Sequence, residues 1–399
     1  MAHGTCKECN QENTGFEWCK ACNANRFQQN FKNWTSGNDD IDKFIQDAQL
    51  SATNYYKVLE WIPYDKFYDI TYIAKGGFGK VYRANWIDGE IWNWDIESKN
   101  WNRNKLNMDG FVALKSLNNS KNITLEFINE ITLHHKVTEE GYDNFIIRLY
   151  GITQDLETEN YMMVLKYAPN GSLQNYLDTS YNELSWYNKV YNLWFITIGL
   201  DEIHKRELIH RDLHIGNILH DSFACITDMG LSADIYSFGI IMYEVISGLP
   251  PYHDVSHDKD LAIKICQGLR PRFNIKVPQL VVHLIKRCLD ANPLDRPTVN
   301  EILEILHQWY EEFSRSEKTE LKKQIEEADK FNDKLQTCNT SLTSLSYETH
   351  SEAIYTSRLL NFNNLPEPKN SDDYYKQCDN IISTEYPDKK NESKGEDKI

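Results

Sequence analysis

The 399-residue chain carries 43 Lys and Arg against 59 Asp and Glu, a net charge of −16 with histidines neutral, and 41 % of its residues are hydrophobic. This supplies a core for one large or two ordinary domains, and the negative charge disfavours non-specific nucleic-acid binding. No apolar run approaches a membrane span. The start "MAHGTCKECN" has no basic-then-apolar leader, and the end "GEDKI" has no lipidation or retention motif. The expected setting is a soluble protein of the cytoplasm, with the nucleus left open.

In chain order, residues 1–30 are cysteine-paired and Asn-rich, and residues 31–62 read as a helical linker. Within it, Ile41, Phe44, Ile45, Ala48, Leu50, Tyr56, Leu59 and Trp61 predict a helix from Asp39 to Trp61, stopped by Pro63. From Phe67 to Leu117, Gly clusters separate β-branched and aromatic runs, the pattern of twisted antiparallel strands. The connection between Tyr82 and Phe111 holds Trp86, Trp92, Trp94 and Trp101, and reads as an extended hairpin with a packed tip or as a docking surface. "ITLEFINEITLHHKV" predicts a helix, and "FIIRLYGITQD" and "YMMVLKYAPNGSL" two strands followed by a turn at Pro169–Gly171.

After Leu173 the pattern turns helical. Leu193, Ile196, Leu200 and Ile203 mark one buried face, and "IYSFGIIMYEVISG" is apolar almost all round, as in a core helix. Strands first and helices after predict an α+β protein with two lobes. The main domain spans 63–309, a charged, solvated helix running on from Val299 covers 310–336, and 337–399 is polar enough to be disordered.

Of nine cysteines, Cys225, Cys266 and Cys288 lie in apolar segments and Cys338 and Cys378 in the polar tail, which is no disulfide framework. The other four form Cys6-x2-Cys9, nine residues, then Cys19-x2-Cys22. Each CxxC knuckle aims two sulfurs at one point, and two knuckles make the tetrahedral thiolate site that suits Zn²⁺. With four protein ligands such a site is closed, hence structural.

Further along, "IAKGGFGKVY", Ile73 to Tyr82, is a Gly-rich hairpin whose backbone N–H groups can approach phosphates without Cβ clashes. "VALK" follows, ending an apolar strand at Lys115. "LIHRDLHIGNIL" and "ITDMG" then place Asp212, Asn217 and Asp228 on loops between apolar strands. Oxygen ligands of that sort hold Mg²⁺ against a polyphosphate.

In this order the motifs resemble the eukaryotic protein-kinase domain, from about Phe67 to Gln308, and most closely its tyrosine-kinase-like branch. The cysteine-paired front and the lead-in "NYYKVLEWIPYDKF" are similar to the expanded kinase families of arbuscular mycorrhizal fungi. The resemblance implies a bilobal fold, ATP and Mg²⁺ as cofactors, and phosphoryl transfer to protein Ser/Thr, with Tyr open. Gly76, Gly77 and Gly79 would form the lid over ATP, with Ile73 and Ala74 on the strand leading into it. Val81, Ala113 and Leu219 would sandwich the adenine, Leu165 would back the pocket, and Lys166 to Ala168 would offer hinge backbone. Lys115 would hold the α/β-phosphates and pair with Glu130, or with Glu126 one turn earlier. Asp212 would accept the substrate hydroxyl's proton, and Asn217 and Asp228 would bind Mg²⁺. Asp234 would anchor the His210–Arg211–Asp212 turn.

The sequence departs from the family pattern at several places. Ala74 replaces the first lid glycine, Met229 replaces the Phe after the metal aspartate, and His214 stands where a lysine is usual in serine/threonine kinases. The larger departure is the six-step join from Asp228 to Asp234, which spans at most about 22 Å. It has no room for the activation segment with its Ala-Pro-Glu end. Arg211 loses its phosphorylated partner, and Arg296 its glutamate, so Arg296 must turn to water or another acid. An ATP-binding pseudokinase or scaffold is therefore the alternative to an active enzyme. The 83–110 connection and the tail are the candidate surfaces for regulatory partners, and the protein substrate is not legible.

Overall fold

The β-branched and aromatic runs between Glu60 and Lys166 form a six-stranded sheet. In the computed structural model, residues 3–75, 79–104, 110–117, 120, 125–137, 145–210, 212–221, 223–227, 234–338, 349–355 and 362–371 are described. The strands are β1 (Glu60–Trp61), β2 (Phe67–Lys75), β3 (Gly79–Trp86), β6 (Phe111–Leu117), β7 (Leu149–Gln154) and β8 (Tyr161–Lys166), in the order β1-β7-β8-β6-β3-β2. Their pairing is antiparallel except for β1 on β7. β4 (Glu90–Asp95) and β5 (Asn100–Asn104) form a separate hairpin between β3 and β6. The helix α3 (Leu125–Val137) follows β6 and contributes Ile131 to a buried cluster with Ala113, Leu149 and Met163 of the sheet.

The helix-rich part is α+β's second half: α4 (Leu173–Ser180), α5 (Trp186–Lys205), the short hairpin β9 (Ile218–His220) with β10 (Ala224–Ile226), and α6 (Asp234–Ser247). It continues through α7 (Lys259–Cys266), α8 (Gln279–Cys288), α9 (Val299–Ser314) and α10 (Glu320–Cys338). Leu193, Ile196, Leu200 and Ile203 of α5 are each no more than 1 % exposed and share one core with Phe238, Ile241 and Met242 of α6. Helix starts are set by capping: Ser185 accepts from Asn188 N, and Thr298 and Glu301 form a reciprocal capping box on α9. Gly248, at φ +70°, ends α6 in the left-handed conformation.

Three stretches differ from the expected pattern. A helix α1 (Lys20–Asn30) precedes the periodic run from Asp39, and that run gives α2 (Asp39–Ser51), which stops at Ser51. Its apolar continuation is drawn into the sheet instead, where Glu60 and Trp61 pair with Gly151 and Ile152. A Cβ on Gly151 would lie 2.0 Å from the Glu60 carbonyl oxygen, so only glycine lets these strands meet. The charged helix does not run on from α9 but restarts at Glu320, and it is not solvated all round: Leu321 and Ile325 are buried in the core that α9 also joins, and Ala328 is buried too. In the tail, residues 349–355 and 362–371 lie against the turn after α6 and against α7: His350 N donates to His253 O (2.8 Å) and Lys369 N to Cys266 O (2.9 Å). The remaining residues of 339–399 lie outside the described residues.

Candidate active site

Lys115 stands on β6, opposite Val81 of β3 and Met163 of β8. Its residue is 7 % exposed, a burial that a lysine tolerates only with a partner. That partner is Glu130 on α3, whose Oε1 lies 2.6 Å from Lys115 Nζ. Of the two expected acids, Glu130 therefore makes the pair. Ile131, next in the helix, is fully buried against the sheet and fixes the face that α3 presents.

Around the lysine the expected apolar walls share one cluster. Ala113 and Leu165 are buried in it and Val81 and Leu219 pack against it. The register explains this: Ala113 pairs with Leu165 across β6–β8, and Leu219 pairs with Cys225 in the small hairpin. Burial pushes the Cys225 thiol up to about 12, which leaves it an inert wall group. Ile73 is exposed on β2, and Ala74 pairs with Val81 there. Gly79 opens β3 opposite Leu117, while Gly76 and Gly77 lie outside the described residues. Ala168 is buried, and the Lys166 side chain pairs with Asp221 at 3.1 Å. The Lys166 amide already donates to Arg148 O (2.9 Å), so of the expected hinge groups it is engaged within the sheet end.

The second half of the site is a turn held from beneath. Asn217 Nδ2 donates to Asp212 Oδ2 (2.9 Å) and to Asp212 O (3.0 Å), which fixes the carboxylate relative to the amide. His210 N donates to Asp234 Oδ2 (2.8 Å), and His210 Nε2 lies 2.8 Å from Thr227 O. Thr227 N in turn donates to Asn217 O (3.0 Å). These bonds lock the loop before β9 to the strand end that leads to Asp228. Asp228 and Arg211 themselves lie outside the described residues. Asp234 thus anchors the turn from the first residue of α6, and His204 Nε2 meets the same oxygen at 2.8 Å. His204 was missed by sequence reasoning; its only signal is a basic side chain in the last turn of α5. His214 turns back on the loop, with Nδ1 accepting from Gly216 N (3.1 Å) and Nε2 3.7 Å from Asp212 Oδ2.

At the front of the chain the four cysteine sulfurs lie within 4.8 Å of one another. Cys6 and Cys22 Sγ are 3.8 Å apart and Cys9 and Cys19 Sγ 3.5 Å. A tetrahedral ion with Zn–S bonds of about 2.3 Å needs sulfur–sulfur edges of about 3.8 Å, so the donor set fits that geometry. Burial pushes the Cys19 and Cys22 thiols up, while for Cys6 the backbone N–H groups of Cys9 and Glu8 outweigh burial and pull it down to about 7. Four cysteine sulfurs in such a space could hold a metal ion. The cluster is not a free-standing bead. Trp101 of the hairpin stacks on Trp18 (5.8 Å) and Phe27 (4.7 Å), and Arg26 lies over the Trp94 ring at 4.5 Å. Trp94 and Trp101 of the connection thus pack against the chain's own front, while Trp92 packs on Tyr55 and Trp86 on Phe67 and Tyr150. Two ion pairs hold the hairpin base, Arg103–Glu60 (2.6 Å) and the buried Arg148–Glu90, and neither was foreseen.

Arg296 is held by the Asp290 carbonyl (Nε to O, 2.8 Å) and lies 5.3 Å from the Tyr236 ring centre. It therefore turns to a backbone oxygen and an aromatic face, where water or another acid was expected.

Comparison with known proteins gives two matches to the family model for protein tyrosine and serine/threonine kinases, at residues 69–235 and 231–306. The chain is similar to receptor-interacting serine/threonine-protein kinase 2 of Bos taurus, 26 % identical over 303 residues, covering 62 % of this chain and 52 % of that one. It is 25 % identical to tyrosine-protein kinase SPK-1 of Girardia tigrina over 271 residues, covering 57 % and 50 %. It is 26 % identical to a probable serine/threonine-protein kinase, drkB, of Dictyostelium discoideum, covering 59 % and 36 %. The chain spans about half or less of the length of these curated relatives.

Proposed function

The chain belongs to the protein tyrosine and serine/threonine kinase family, and from that premise we propose that it transfers a phosphoryl group from ATP to Ser or Thr of a protein, with Tyr open. The observation that carries the reading is the buried Lys115–Glu130 pair facing the same apolar walls that would take an adenine. Val81, Ala113, Leu165 and Leu219 fit a flat aromatic base, and Lys115 fits its phosphates. Asn217 would hold Mg²⁺ together with Asp228. When bound, Mg·ATP supplies the transferable phosphoryl group and its charge neutralisation. The chain's own work is positional. Glu130 fixes Lys115, Asn217 fixes Asp212, and Asp212 accepts the hydroxyl proton at its carboxylate. The presence of both fixed pairs favours turnover over an ATP-binding scaffold.

The mixed set of serine/threonine and tyrosine relatives supports a place in the tyrosine-kinase-like branch. The cysteine-paired front supports the likeness to the expanded fungal families. The sulfur spacing supports Zn²⁺ at Cys6, Cys9, Cys19 and Cys22. Among the described residues no cysteines are joined in a disulfide, which supports a reducing compartment such as the cytoplasm. No helix among the described residues is long and apolar enough to cross a membrane.

The test is transfer of labelled phosphate from ATP to a generic protein substrate or to the chain itself, beside an Asp212→Asn control. Transfer no greater than that control would leave the chain without this activity.

A further inference from the structure

The thiolate cluster and the nucleotide lysine are joined by a short run of direct contacts. Trp18, fully buried between the knuckles, donates its indole N–H to Ala52 O (3.1 Å). Thr14 Oγ1 donates to Thr53 O (2.8 Å), and a Cβ on Gly15 would lie 2.9 Å from that same oxygen. The knuckle loop thus rests on residues 52–54. A few residues on, His135 Nε2 of α3 lies 3.1 Å from Lys57 O, and Arg148 Nη2 donates to Tyr55 O (3.1 Å). His135 is five positions beyond Glu130 in the same helix.

A second line runs through α1 and α2. Cys19 caps α1, Cys22 lies within it, and α1 packs against α2. Ile41, Ile45 and Ala48 of α2 are buried with Ile131 of α3 and Ala113 of β6, and the Phe44 ring meets His135 edge-on at 5.8 Å. The second line begins at Cys19 and Cys22 and the first at Trp18, next to Cys19, and both reach the helix that carries Glu130.

We propose that occupancy of the four-thiolate site by Zn²⁺ sets the position of α3 and thereby the Lys115–Glu130 pair, making the site a metal-dependent control on nucleotide binding. The proposal rests on the reading of Cys6, Cys9, Cys19 and Cys22 as a metal site. His135 is a positioning residue in it, acting through α3.

The experiment uses the full chain loaded with zinc, treated with a zinc-selective chelator in excess Mg²⁺. Metal content, Mg·ATP affinity and amide exchange are followed together. Loss of zinc is expected to weaken Mg·ATP binding by roughly tenfold, within the usual range for coupled sites. Exchange at 52–58 and 125–137 should rise while 186–205 stays protected, and zinc should restore all three. His135→Leu should retain zinc but remove the response of Mg·ATP affinity to it. His135→Gln, whose amide can donate to Lys57 O, should return it. Zinc leaving with no change in α3 exchange overturns the proposal and spares the metal reading. A chain that takes up no zinc overturns both. Loss of protection at 186–205 together with α3 also overturns it, since the metal would then hold the whole fold. Absence of Mg·ATP binding by the zinc-loaded chain counts against the kinase reading, while the exchange of α3, which needs no nucleotide, still decides the proposal.

Discussion

Lys115 Nζ and Glu130 Oε1 lie 2.6 Å apart, an ion pair that joins strand β6 to helix α3 beside the apolar packing of Ile131 with Ala113. Lys115→Met removes the cation and leaves Glu130 without it. Phosphoryl transfer is expected to fall by roughly 10²-fold or more, the scale seen when one fixed electrostatic group is lost. Thermal unfolding run in parallel separates this from misfolding. A variant with full transfer and an unchanged melting curve would remove the lysine from the chemistry.

Asp234 gathers His210 N and His204 Nε2 on one carboxylate oxygen, each at 2.8 Å, and is 4 % exposed. Asp234→Ala strands the buried His210 amide, at about 1–3 kcal/mol. For a domain of this size that is a drop in Tm of about 2–4 °C per kcal/mol. Asp234→Asn keeps an acceptor for the amide and should lose less stability than the Ala variant, while transfer falls in both. Equal Tm values for wild type and Asp234→Ala would show that the turn is held elsewhere.

Burial pushes the Glu244 carboxyl in α6 from 4.5 up to about 8. The unfolded chain releases this proton near the lower value and the folded chain keeps it to the higher one. Between those pH values the folded state binds more protons, so this group lowers stability as pH rises. Below that window its contribution is fully favourable, and above it the loss is complete. Glu244→Gln should flatten the fall in Tm between about pH 5 and 8. Denaturant midpoints across that range measure it, and an unchanged slope would assign the fall to other groups.

The fold and the motifs of the candidate site were legible because they rest on local patterns. Glycine punctuation and β-branched runs mark β2, β3 and β6, and the motif spacing picked out Lys115, Asp212 and Asn217. Glu130 and Glu126 lie one helical turn apart on the same face of the helix, so spacing ranks them only loosely, and the Lys115–Glu130 contact at 2.6 Å identifies Glu130 as the partner. What sequence could not show depends on contacts between distant segments. The run from Tyr55 to Trp61 looks helical in isolation, but Gly151 leaves a slot that draws Glu60 and Trp61 into the sheet. α10 looks solvated by its charge, yet three apolar residues at helical spacing, Leu321, Ile325 and Ala328, suffice to dock it. The Arg148–Glu90 pair joins residues 58 positions apart, with no local signature in either.

Gly151 offers a steric test of the strand order. Gly151→Ala places a Cβ 2.0 Å from the Glu60 carbonyl oxygen, so backbone must move. The expected cost is about 1–3 kcal/mol, the usual range for overpacking. Amide exchange should rise at 60–62 more than at 111–117, because β1 is held only by β7 within the sheet order. Unchanged exchange at 60–62 would show that β1 does not depend on this close approach.

The short join between Asp228 and Asp234 bears on substrate presentation more than on ATP. The two family matches overlap at residues 231–235, at the end of this join. Arg296, which the family resemblance would pair with a glutamate, is held by the Asp290 carbonyl and the Tyr236 face, and burial lowers its pKa. A cation in that setting gains from a carboxylate beside it. Inserting a segment of ordinary family length between Asp228 and Asp234, ending in Ala-Pro-Glu, supplies that acid and a shelf for a peptide. kcat/KM for an added protein substrate is expected to rise by roughly 10- to 100-fold through better positioning. The affinity for Mg·ATP should stay within about twofold, since Lys115, Glu130 and Asn217 are untouched, and coupled sites shift affinity by at least about fivefold. An Arg296→Met variant of the lengthened chain should lose most of the gain. If lengthening leaves the protein-substrate rate where it was, the six-step join already serves as the shelf, and Arg296 plays no part in holding one.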